Sequence, residues 1–196
     1  MIYKTFFYVI LVCMFGAMCF AQVPANKTNL TLADREAWRT VLGWSDKYEE
    51  QWKRSRLHNK SDAVGLAFHE LGSGKYLVMI TVTESAYQPG YIFMYYDPSR
   101  KTPSRPLRIK TYVPDDEGPL KTPVVEEIEC LPTFDEQKKQ LVLYTKGRGT
   151  ADCGSLVRYR ITPQRAVPLE ARTHACFDDY SLGVLDPQRW RKVKRL

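Results

Sequence analysis

The chain lacks most of the short motifs that announce an enzyme. Histidine is scarce: His58, His69 and His174 are the three among 196 residues, and they lie far apart, which leaves few candidate general bases. No Gly-x-Ser-x-Gly and no His-Glu-x-x-His occurs, so neither a nucleophile elbow nor a zincin helix is expected. No glycine-rich turn leads into Gly-Lys-Ser/Thr, which excludes a P-loop. No Cys-x-x-Cys occurs, so a thioredoxin-type redox pair and a zinc ribbon fall away. Proline and glycine are ordinary at 12 and 11, which excludes collagen-like and low-complexity chains.

What is present is a composition that folds. Apolar residues at 44% and charged residues at 26% supply enough buried area for a core, so an extensively disordered chain is not expected. The long apolar run is Phe6–Phe20, 15 residues without a charge, preceded by Lys4. It falls short of the roughly 20 residues that a membrane-crossing helix needs. Cys19 and Ala21 put small residues at the −3 and −1 positions before Gln22, the pattern of a cleaved signal. The expectation is a signal peptide over residues 1–21, a flexible polar stretch over 22–30, and one β-rich domain over 31–196. The mature chain would have no transmembrane segment and would be periplasmic or secreted.

Loss of residues 1–21 removes Lys4 and takes the formal charge from +7 to +6. A basic balance in an exported protein points to anionic surfaces or acidic partners rather than to nucleic acid. The cut also removes Cys13 and Cys19, leaving Cys130, Cys153 and Cys176. An odd number in an oxidising compartment implies one bridge and one free or intermolecular thiol, and three pairings are open. A Cys153–Cys176 bridge would close a loop worth about 3 kcal/mol in the chain-entropy model.

Thr31 can cap a helix, with Asp34 and Glu36 following, and Trp38, Val41, Leu42, Tyr48 and Trp52 recur near helical spacing. Gly43 interrupts, so one kinked helix or two short ones are predicted across 32–55. Trp38, Trp44 and Trp52 read as core anchors. From residue 64 the pattern becomes β. Val64–Glu70, Tyr76–Thr83, Tyr91–Tyr96, Leu107–Val113, Val124–Leu131, Gln140–Lys146, Leu156–Thr162 and Ala166–Thr173 each carry strand chemistry between turn residues. Without helical patterns between them, parallel βαβ units are not expected. The predicted fold is α+β, mostly β: an antiparallel meander forming a sandwich or barrel-like sheet with an N-terminal helix. Tyr96-Asp97 and Phe134-Asp135 each precede a polar turn, and the C-terminal stretch around Trp190 can form a short helix.

The most distinctive stretch is Lys146-Gly147-Arg148-Gly149-Thr150-Ala151-Asp152-Cys153-Gly154. It lies between two strand candidates, so a dinucleotide fingerprint, which needs a following helix, does not apply. It reads either as a tight connection needing positive φ, with Asp152 bonding nearby backbone N–H groups, or as a rigid loop presenting Arg148 to an anion. Catalytic candidates are thin: Cys130 as a thiol nucleophile, or carboxylates among Glu126, Glu127 and Glu129.

Several segments together resemble the DUF1176 family of exported bacterial proteins. They are Leu42-Gly43-Trp44, Gly74-Lys75-Tyr76-Leu77-Val78, Ala86-Tyr87-Gln88, Leu131-Pro132-Thr133-Phe134-Asp135, the Gly147-Arg148-Gly149 and Asp152-Cys153-Gly154 stretch, Cys176, Pro187 and Trp190. The resemblance covers most of 38–193. It implies a β-rich exported domain with Cys153 bridged to Cys176, and it carries no established activity and no catalytic residues. A further cysteine pair of the family, near Tyr48 and near Val82 or Thr83, is absent here, and Cys130 is extra. The functional expectation is an exported, non-catalytic binding domain, of envelope or inhibitor type. Arg148, Asp152, Tyr87 and Gln88 are its possible binding residues. Its partner would be an envelope protein or an anionic cell-wall component, with no metal, no cofactor and a possible dimer through Cys130. The alternative is a small envelope hydrolase or thiol enzyme using Cys130 or the acidic residues.

Overall fold

Thr31 starts the first helix as its sequence position suggests. Its hydroxyl accepts from the Asp34 N–H at 3.2 Å while Asp34 Oδ2 accepts from the Thr31 N–H at 2.7 Å, a reciprocal cap. Helix α1, Leu32–Leu42, ends at Gly43, which adopts the left-handed φ of 74° that a β-carbon disfavours. Helix α2 then runs Asp46–Asn59, so the predicted helical region is two helices. A computed structural model describes residues 30–59, 63–115, 119–176, 186–194 and 196. The expected signal segment and most of the polar stretch after it, residues 1–29, lie outside them.

The strands follow in order: β1 Leu66–Gly72, β2 Lys75–Thr83, β3 Gly90–Tyr96, β4 Ser104–Pro106, β5 Ile109–Lys110, β6 Val124–Val125, β7 Glu127–Glu129, β8 Leu131–Asp135, β9 Gln140–Lys146, β10 Gly154–Ile161, β11 Ala166–His174 and β12 Arg191–Lys192. Two antiparallel meanders result. The first sheet is β1-β2-β3-β4 with β7 also on β3, and the second is β12-β11-β10-β9-β8. β5 and β6 form a separate two-stranded ribbon.

Alternation assigns the faces. Leu77, Phe93 and Tyr95 of the first sheet share one buried cluster with Leu141, Leu143, Val157, Tyr159 and Ala171 of the second. The opposite face of the first sheet, including Phe68, Val78, Ile80 and Met94, packs on Trp38, Leu42 and Trp44. The architecture is three layers: helices, first sheet, second sheet. The expected mostly-β antiparallel fold is therefore borne out as an open sandwich, and the first sheet is buried on both sides.

A buried ion pair fastens the helices to that sheet. Arg35 sits three residues before Trp38 and seven before Leu42, on the buried stripe of α1. Its guanidinium bonds Glu49 of α2 at 2.9–3.3 Å, and the carbonyls of Val64, Gly65 and Thr81 at 3.0–3.1 Å. It lies 3.7 Å from the Trp52 ring centroid, and Trp44 Nε1 donates to the same carboxylate at 3.1 Å. Every guanidinium N–H is used, which is what makes a buried charge tolerable.

Some expectations are corrected. The run Leu107–Val113 holds only the two-residue strand β5, with Val113 making an isolated bridge to Lys121. The run Val124–Leu131 divides into β6, β7 and the start of β8, because each piece pairs with a different strand. The C-terminal stretch forms a single 3₁₀ turn, Pro187–Arg189, followed by β12. Asp97 and Asp135 do close their turns, accepting from the N–H groups of Ser99 and of Gln137 and Lys138.

Candidate functional site

β9 ends at Lys146, and the loop that follows is fixed from several directions. From the β2–β3 connection, buried Gln88 reaches across to the second sheet. Its Oε1 accepts the Lys146 N–H at 2.7 Å and its Nε2 donates to the Lys146 carbonyl at 3.0 Å. The side-chain amide thus imitates one rung of a β-ladder. Lys146 Nζ lies 3.4 Å from the Tyr87 carbonyl and 5.1 Å from the Tyr87 ring centroid. The Tyr144 hydroxyl donates to the Ala151 carbonyl at 2.7 Å, holding the turn where Ala151 takes a φ of 61°.

Within the loop Arg148 and Asp152 form a fork. Arg148 Nε and Nη2 donate to Oδ1 and Oδ2 of Asp152 at 2.9 and 2.5 Å, and Thr150 Oγ1 donates to Oδ1 at 2.5 Å. The Arg148 hydrogen bonds, then the Thr150 one, hold the Asp152 carboxyl far below the usual carboxylate range. The hydrogen-bond donors to the Asp152 carboxylate are thus the Arg148 and Thr150 side chains, where nearby backbone N–H groups were expected. Arg148 carries its own counter-charge and does not stand open as a lone anion-binding cation.

Cys153 and Cys176 are bridged, with Cα atoms 5.0 Å apart, as the resemblance implied. Two glycines make room for the bridge. A β-carbon on Gly147 would lie 2.6 Å from Cys176 Sγ. Gly154 takes a φ of 131°, and a β-carbon there would overlap the Thr145 carbonyl. Beyond the bridge, His174 stacks on buried Trp190 with ring centroids 6.0 Å apart, and Trp190 meets the Tyr144 ring edge-on at 5.8 Å.

The structure thus gathers the singled-out residues Arg148, Asp152, Tyr87, Gln88, Cys153 and Cys176 at one end of the sandwich. Their placements differ. Gln88 is buried and works as a clamp, whereas Tyr87 is exposed. On the other side of the same connection, Thr81, Glu84, Ser85, Ala86, Pro89 and Tyr91 line a cleft of about 400 Å³. A second cleft, of about 460 Å³, opens between Trp44, Tyr48, Ile92, Met94 and Pro106.

The catalytic candidates do not converge. Cys130 is fully buried in the interlayer core, and burial pushes its thiol up to about 12, so it is not a thiolate near neutral pH. A covalent dimer through Cys130 would require that core to open. Glu127 accepts from Gln51 of α2 at 2.8 Å, while Glu126 and Glu129 are exposed. His69 Nδ1 lies 2.9 Å from Glu136 Oε1, with its ring against Phe134, a packing role. Among the described residues no three His, Cys, Asp or Glu side chains form a metal-binding group, and no helix is long and apolar enough to cross a membrane.

A family model described as "Protein of unknown function (DUF1176)" matches residues 17–191. The chain belongs to the DUF1176 family. Another protein similar to this DUF1176 chain is uncharacterised protein YpfG of Escherichia coli strain K12, 38% identical over 98 residues. That match covers 48% of the chain and 26% of YpfG, so the chain aligns with about a quarter of that relative's length. No solved structure matches. Sequence reasoning missed one polar centre of this DUF1176 fold, the Arg35–Glu49 pair. The usable signal was spacing: Arg35 shares a helical stripe with Trp38 and Leu42, and Glu49 lies one turn before Trp52.

Proposed function

We propose that this DUF1176 chain is an exported binding domain that engages a protein of the cell envelope through the rim built around the Cys153–Cys176 bridge. The observation that carries the reading is the rigidity of that rim. The Gln88 clamp joins two loops from different sheets there, the Arg148–Asp152 fork closes one of them on itself, and the disulfide ties that loop to the end of β11, with Tyr87 exposed beside them. A rigid edge bearing an exposed aromatic loses little conformational entropy on binding, which favours a specific contact. The intrachain bridge supports export, since such bonds persist in oxidising compartments. The internal pairing of Arg148 favours a protein partner over a simple anion at this rim. The buried thiol of Cys130 weighs against the thiol-enzyme alternative.

Immobilised chain, challenged with envelope extract of its own host, tests the reading. An envelope protein should be retained by the wild type, and lost with Tyr87→Ala or after reduction of the bridge. Retention that ignores both changes would sink it. Export is tested separately by mass mapping of the native protein, which should begin at Gln22 and carry Cys153 linked to Cys176.

A further inference from the structure

The net charge of the chain is not spread over the fold. Residues 1–135 hold 16 Lys and Arg against 16 Asp and Glu, whereas residues 136–196 hold 13 against 6. The whole excess of +7 therefore belongs to the part of the chain that makes β9 to β12. Within those four strands Glu170 is the single carboxylate, against Lys146, Arg158, Arg160, Arg172, Arg191 and Lys192.

Register decides where these cations point. Val157, Tyr159 and Ala171 sit in the interlayer core, so Arg158, Arg160 and Arg172, which alternate with them, face outward. Lys192 stands directly opposite Arg172 across the β11–β12 pair, a like-charge juxtaposition that costs stability. Glu170 answers three cations at once: Arg172 at 2.8 Å, Lys192 at 3.7 Å and Arg158 at 3.9 Å. Arg160 is exposed and makes no ion pair among the described residues. The two central arginines are held in place, Arg158 by Gln188 Oε1 at 3.1 Å and Arg172 by the Trp190 carbonyl at 3.2 Å.

We propose that the outer face of the second sheet binds a soluble, phosphate-bearing linear polyanion. Four cations on one face, Arg158, Arg160, Arg172 and Lys192, with Glu170 the one carboxylate among them on these strands and two of the guanidinium groups already oriented, suit repeated phosphates spaced along a chain. A membrane surface fits less well. Interfacial anchoring needs apolar side chains to sink below the headgroups, and on β9 to β12 the exposed large apolar residue is Leu169 alone, at the β10–β11 bulge. This surface is distinct from the rim around Tyr87 and does not depend on the rim's function.

Long-chain inorganic polyphosphate is the probe, titrated against the full chain at rising salt. Binding should weaken as salt screens the contact. The triple variant Arg158→Glu, Arg160→Glu, Lys192→Glu should lose about tenfold or more in affinity. The triple variant Lys53→Glu, Lys101→Glu, Arg108→Glu changes the net charge equally in the other part of the fold and should stay within about twofold. Glu170→Gln removes the lone carboxylate and should tighten binding, while Tyr87→Ala should leave it unchanged. Absence of binding at low salt overturns the proposal. So does equal loss in both triple variants, which would reduce it to net charge. Binding to phosphatidylglycerol vesicles without binding to polyphosphate would make the face a membrane contact instead. If the first triple variant fails to fold, Glu170→Gln decides alone: tighter binding supports the proposal, and equal or weaker binding overturns it.

Discussion

The two sheets of this molecule solve the same packing problem with different means. The first is buried on both faces and is fastened to its helices by one fully bonded arginine, without a covalent link. The second is buried along one face, has its other face covered only in part by the segment around Trp190, and is stapled near its end by a disulfide, with charge concentrated on that partly covered side. A sheet covered on both sides can hold a charge only in a saturated network. A sheet with a wet face can display charge freely, and fixes its loops by covalent bonding instead.

The sharpest way to break this contrast is Arg35→Ala. It leaves Glu49 buried and unpaired, with an expected loss of about 3–5 kcal/mol in urea unfolding. Changing both partners, Arg35→Met with Glu49→Met, should recover most of that loss, because the penalty lies in the stranded charge. Next in size is the bridge. Replacing Cys153 and Cys176 together by alanine should cost about 3 kcal/mol. Hydrogen exchange should show the 146–154 loop released while α1 and α2 stay protected.

Gln88→Ala addresses the junction of the two regions. It strands the Lys146 N–H and carbonyl, at an expected cost of about 1–3 kcal/mol. Acid gives a smaller and graded effect. Burial alone would raise the Glu49 carboxyl, but the hydrogen bonds and charge of Arg35, with the Trp44 N–H, outweigh it and the net shift is downward. A depressed folded value means that the unfolded chain takes up the proton first as pH falls. This contribution is full above the unfolded carboxylate value of about 4.3 and declines below it. Stability measured from pH 6 downward should therefore fall more steeply in the wild type than in Glu49→Gln. The smallest expected signal is a silence: Cys130 should not react with a disulfide-exchange reagent at neutral pH until denaturant opens the core.

Much of the framework was legible because it is local. Thr31 with Asp34 marks a helix start, and Gly43 marks its end. The alternating runs now seen as β1–β3 and β9–β11 stand out because period-2 patterning survives in them. The short strands were not legible, for physical reasons. β4 carries Pro106 and β8 carries Pro132, and proline lowers strand expectation even though it is tolerated at a sheet edge. The runs at 107–113 and 124–131 look continuous, but their partners change along their length. For the candidate site, residue choice was legible and role was not. Gln88 and Arg148 both stood out, yet their partners, Lys146 and Asp152, make one a clamp and the other half of a closed pair.

One edge of the first sheet is shared in relay. β4 pairs with Met94–Tyr96 of β3, while β7 pairs with Gly90–Ile92 of the same strand. As the chain emerges from its N-terminal end, β1 to β4 can zip together from neighbouring hairpins, whereas the seat at Gly90–Ile92 waits until residues 127–129 arrive. A nascent chain paused in that interval carries a half-vacant strand edge, which is where a chaperone would have something to grip.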